Sequence, residues 1–74
     1  MIVYELWEMR SRNMIASFAT EEDALASVAL SAGRHGAASI ASVELVRLDD
    51  EDDDGPIERI AAGADLLRRA RVPS

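Results

Sequence analysis

Six carboxylates in succession, Asp49-Asp50-Glu51-Asp52-Asp53-Asp54, run into Gly55-Pro56. No packed element can hold such a run, because burying unpaired charge costs more than a small domain can supply. The segment must be a solvated loop, with any regular structure on either side of it. It also explains the net charge. The chain carries 14 acidic and 8 basic residues, −6 in all, so outside the run acids and bases balance. This is a balanced domain with one concentrated negative pole.

A chain of 74 residues makes a single domain, 1–74, near the lower limit for unaided folding. Apolar residues make up 49%, but 13 of them are Ala and only 23 are large. Such a core leaves a net stability of roughly 3–5 kcal/mol. A homodimer, or docking onto another protein, is therefore expected. With no Cys, neither a disulfide nor a thiolate metal site can form. No apolar run approaches the ~20 residues of a membrane span, and no signal-peptide pattern opens the chain, so the expected setting is cytoplasmic with no membrane partner. All eight basic residues are Arg. Codon bias is the plain reading of that, and salt adaptation fits less well because the acid excess sits in one loop.

Residues 2–9 (IVYELWEM) read as a strand, being β-branched and aromatic without Gly or Pro. Tyr4 and Leu6 share one face; Val3, Trp7 and Met9 share the other. Apolar groups on both faces mark a central strand. Arg10-Ser11-Arg12-Asn13 has hairpin-loop length, and residues 14–18 return with Met14, Ala16 and Phe18 in phase. Thr20-Glu21-Glu22-Asp23 fits a capping box opening a helix, with three acids suited to its positive end. Leu25, Val28, Ala29 and Ala32 then draw an apolar stripe at helical spacing, and Gly33 is a natural stop. Arg34-His35-Gly36 follows as a loop, and residues 37–41 fit either helix or strand. Residues 42–48 read as a strand, with Val43 and Leu45 opposed to Val46 and Leu48. Residues 57–61 form a short strand with Ile57, Arg59 and Ala61 in phase. Residues 64–71 form a final helix with Leu66, Leu67 and Ala70 inward, and residues 72–74 fray. The order ββαββα predicts an α+β fold, a four-stranded antiparallel sheet with helices packed on a face.

Few constellations carry chemistry. Asp50, Asp52 and Asp54 followed by Gly55 have the alternating spacing with which an EF-hand loop wraps Ca²⁺. Ala61 stands where the closing bidentate Glu belongs, Pro56 interrupts the loop and the flanks read as strands, so a plain solvated loop competes with a cation site. The same run would also dock on a basic protein, since focused charge steers association. His35, the sole His, has no neighbouring carboxylate or nucleophile beyond Ser31 and Ser39, and enzyme activity and cofactors are not expected. Arg10 and Arg12 near Tyr4 and Trp7 make a minimal basic-aromatic patch. Phosphate binding needs more positive charge than this, so no nucleic-acid partner is expected. Val3, Trp7 and Met9 form the best candidate contact surface, because Trp and Met are enriched in interface cores. Ordinary core packing is the competing role.

The hairpin leading into Thr20-Glu21-Glu22-Asp23-Ala24-Leu25 resembles the T-x-x-E-A-L helix start of HicB-type antitoxins, and is similar to the strand-then-helix start of integrase arm domains. The match spans residues 20–25, much of it the capping box. The DNA-binding C-terminal portion of the antitoxin family has no counterpart in this chain, and the acidic balance departs from integrase arms. The first resemblance implies an inhibitor-like role. Together these readings point to a non-enzymatic protein–protein interaction module, homodimeric, with a small Ca²⁺-binding domain as the alternative.

Overall fold

The computed structural model describes residues 1–52 and 54–71. Along them run β1 (Ile2–Glu8), β2 (Asn13–Phe18), α1 (Glu21–His35), a short 3-10 helix (Ala37–Ile40), β3 (Val43–Asp49), β4 (Glu58–Ala62) and α2 (Gly63–Arg71). Asp53 and the fraying expected at 72–74 lie outside the described residues. The strands make one antiparallel sheet in the order β2-β1-β3-β4. The fold is thus α+β with a ββαββα order, and β1 is a central strand as its two apolar faces require.

Alternation along the strands decides what each face does. Leu6, Val43, Leu45 and Ala61 face the helices and join Ala24, Val28 and Ala32 of α1 and Leu66 of α2 in one buried cluster. Tyr4, Phe18, Leu25, Leu67 and Ala70 pack around it. Leu45, Leu66 and Val28 are the largest side chains wholly withdrawn from water, each contributing about 1.5–3 kcal/mol by burial. The short axis of the molecule is only 16 Å, room for one sheet and one helical layer. Among the described residues no helix packs on the other face of the sheet.

α1 begins as its capping sequence dictates. The Thr20 hydroxyl accepts from the Asp23 amide at 3.1 Å, with Thr20 itself extended. Its buried stripe is centred on Ala24, Val28 and Ala32, small residues that let α1 approach the sheet, while Leu25 reaches in from the flank. The helix does not stop at Gly33. It continues through Arg34 and His35 to Gly36, whose φ of 88° is the left-handed conformation that releases a helix. A glycine inside a helix costs about 1 kcal/mol. Here the Gly36 amide closes the longer helix by donating to the Ala32 carbonyl at 2.8 Å, and Arg34 and His35 gain a place at the negative helix end. Residues 37–40 form the 3-10 turn that buries Ile40.

Two β-bulges also depart from simple alternation. In β2 the register shifts between Leu6 and Trp7, so Ala16 pairs with Leu6 but Met14 pairs with Trp7. Met14 therefore leaves the phase of Ala16 and Phe18. In β4 the register shifts between Leu45 and Val46, so Ala61 pairs with Leu45 while Arg59 pairs with Val46. Ile57 precedes the strand and is 67% exposed. Each bulge spends one extra residue to turn a side chain to the opposite face.

Candidate functional site

The helix-free sheet face is built mainly by the two central strands. Val3, Glu5 and Trp7 of β1 stand opposite Leu48, Val46 and Glu44 of β3. The bulges add Met14 beside Trp7 and Arg59 beside Val46. Val46 is only 5% exposed, yet it lies outside the helix-side cluster. Its cross-strand neighbours on this face are Glu5 and Arg59. Val3, Trp7 and Leu48 are half-buried, and no helix among the described residues lies above them.

The polar groups on this face are matched to one another. Trp7 Nε1 donates to Glu5 Oε1 at 3.0 Å, and Arg59 Nε donates to Glu44 Oε2 at 2.8 Å. The apolar strip Val3-Trp7-Val46-Leu48 is thereby framed by satisfied polar groups, the composition of a contact surface. Of the residues read as candidates from sequence, Val3 and Trp7 lie on this face. Met9 follows the end of β1, exposed, with its N–H donating to the Ser42 carbonyl at 2.8 Å. Met14 and Arg59 were not legible as members, because the bulges that place them leave no local mark.

The acidic loop is tied to the start of the chain. The Met1 ammonium lies 2.8 Å from Asp49 Oδ1, 3.2 Å from Asp50 Oδ1 and 3.4 Å from Glu51 Oε2. The hydrogen bond that the Met1 ammonium donates to Asp49 is the main reason the ammonium pKa is raised, and the same bond holds the Asp49 carboxyl below its usual range. Asp49 Oδ1 also accepts from the Glu51 amide at 3.0 Å. The Gly55 amide donates to the Asp52 carbonyl at 3.0 Å, and the Asp52 carboxylate lies so close that a Cβ on Gly55 would meet it at 2.8 Å. Asp50 thus faces an internal cation and Asp52 folds over the glycine. Among the described residues no three His, Asp or Glu side chains are disposed to hold a metal ion.

Glu8 is a further organising group. Its Oε1 accepts from the amides of Arg10 and Ser11 at 2.5 and 3.3 Å, and its Oε2 from the Ser42 hydroxyl at 2.5 Å. The Ser42 bond first, then the Arg10 amide, lower its pKa. A carboxylate placed just before a hairpin loop is the signal that marks it.

The basic-aromatic patch does not assemble, since Tyr4 packs on the helix side and Trp7 on the open side. His35 is exposed in the last turn of α1, and the Ser39 hydroxyl donates to the Gly36 carbonyl at 2.7 Å. A cleft of about 510 Å³ gathers Arg47, Arg59 and Arg69 around Tyr4, Glu21 and Glu58. Two of those guanidiniums already have carboxylates: Arg47 pairs with Glu58 at 3.4 Å and Arg59 with Glu44. No helix among the described residues is long and apolar enough to cross a membrane. No protein-family model matches the chain, and no curated protein and no solved structure matches it.

Proposed function

We propose that this chain is a non-enzymatic protein–protein interaction module that works as a homodimer and meets its target through the open face of the sheet. The observation that carries the reading is the uncovered strip Val3-Trp7-Val46-Leu48, held between internally paired polar groups. A surface of this kind can lose water with the Trp7 N–H and the Arg59 guanidinium already bonded, leaving the Glu5 charge for a partner to match. Among the described residues the face carries Glu5 and Glu44 against Arg59 alone, and β3 leads directly from it into the acidic loop. Both features favour a target with a basic surface, steered by the loop. An inhibitor of such a protein is one concrete form, and a cytoplasmic setting fits a chain with no Cys.

Affinity capture with the parent, Trp7→Ala and the triple variant Asp50→Asn, Asp52→Asn, Asp54→Asn tests this. The expected result is one basic protein retained by the parent, lost with Trp7→Ala, and bound more slowly by the triple variant at low salt. If no protein distinguishes the parent from Trp7→Ala, the reading fails. The alternative Ca²⁺-binding reading would instead appear as saturable Ca²⁺ uptake abolished by the triple variant alone.

A further inference from the structure

The two edges of the sheet are guarded unequally. β4 is short, carries Glu58 and Arg59 and leads straight into α2. β2 is Asn13-Met14-Ile15-Ala16-Ser17-Phe18, without a charge, a Pro or a Gly. Met14 and Ile15 are 49% and 55% exposed. β2 pairs with β1 on one side only, and among the described residues no other backbone group bonds to its outer side. Soluble proteins commonly protect such an edge with Lys, Pro, a β-bulge or a covering element, and of these β2 carries only the bulge. Here the bulge at Leu6/Trp7 interrupts the pairing with β1 near Met14, while Ala16 to Phe18 stay in regular register.

We infer that β2 is a homodimer seam: the β2 strands of two copies pair antiparallel about a two-fold axis, joining their sheets edge to edge. The flanking charges identify the occupant as a second copy. Arg10 and Arg12 lie in the hairpin loop just before β2, and Glu21, Glu22 and Asp23 open α1 just after it. A two-fold axis near Ile15 and Ala16 sets Asn13 opposite Phe18 of the second copy. Each pair of arginines then lies beside the helix start of the other copy, and symmetry makes the match twice. Among the described residues, none of these five side chains makes an ion pair within its own chain. The open face is a poorer seam for a second copy, because stacking it on itself brings the Glu5 and Glu44 carboxylates of both copies together. Pairing one strand of six residues buries little area, so the dimer belongs to the weak class. The seam rests on the homodimer of the proposed reading and supplies its interface, but it does not depend on what the open face binds.

Sedimentation equilibrium on the full chain across the micromolar range tests the seam, with circular dichroism to confirm that each variant is folded. The parent should dimerise, and Ile15→Lys at its exposed position should weaken the dimer at least tenfold. The double variant Arg10→Glu, Arg12→Glu should also be monomeric, and should recover a heterodimer when mixed with Glu21→Arg, Glu22→Arg. Trp7→Ala should remain a dimer. A parent that is monomeric throughout, a dimer indifferent to Ile15→Lys, or a charge-swapped mixture that does not associate overturns the inference. A dimer broken by Trp7→Ala and not by Ile15→Lys also overturns it, while leaving the open face as a contact surface.

Discussion

The Glu8 carboxylate and the Ser42 hydroxyl meet at 2.5 Å across 34 residues of sequence, binding the end of β1 and its hairpin loop to the residue before β3. One side chain thus closes the loop amides of Arg10 and Ser11 and fixes the point from which β3 enters the sheet.

Because these bonds lower the Glu8 pKa in the folded state, its contribution is fully present above the ordinary Glu value, about 4.3. It is lost as pH falls through the folded value. Glu8→Gln should lower the denaturant midpoint at pH 7, and the gap from the parent should narrow progressively as the medium is acidified below that ordinary value. Parallel stability–pH curves for the two proteins would contradict the role assigned to Glu8.

Thr20→Ala should cost about 1 kcal/mol, because it removes the acceptor for the Asp23 amide at the start of α1. Urea denaturation measures this directly. Thr20→Ser, which keeps the hydroxyl, should stay close to the parent.

Gly63 opens α2 at φ 55°, and a Cβ there would meet the Ala41 carbonyl oxygen at 3.1 Å. Gly63→Ala should destabilise the fold by roughly 1–2 kcal/mol from the left-handed backbone alone, with the close carbonyl adding to it. Gly33→Ala makes the contrasting control, since nothing lies within 4 Å of its Cβ position and its backbone is helical. It should stabilise the protein by about 0.4–1 kcal/mol.

Replacing Asp50, Asp52 and Asp54 with Asn should leave the fold intact and raise the melting temperature slightly at low salt, by relieving like-charge repulsion. The gain is limited because Asp50 also neutralises the Met1 ammonium. Millimolar Ca²⁺ should shift neither protein. A calcium-dependent rise in the parent alone would establish a cation site on the loop, since a ligand of the native state must stabilise it.

By itself the sequence determined the element order, the Thr20 cap, the wet acidic loop and the opposite faces of β1 and β3. Each follows from residues close together in the chain: alternation, helical spacing, a hydroxyl three residues from an amide, six adjacent charges. Val3 and Trp7 were legible as one face for the same reason. The tertiary structure decided the rest. α1 passed Gly33 and ended at Gly36, two glycines that local sequence does not rank as stops. The phases of Met14 and Arg59 depended on bulges set by the register with β1 and β3. Which face of the sheet stayed bare depended on both helices docking on the side of Leu6 and Leu45. The attachment of the Met1 ammonium to Asp49 joined groups 48 residues apart, and no local pattern encodes such a contact.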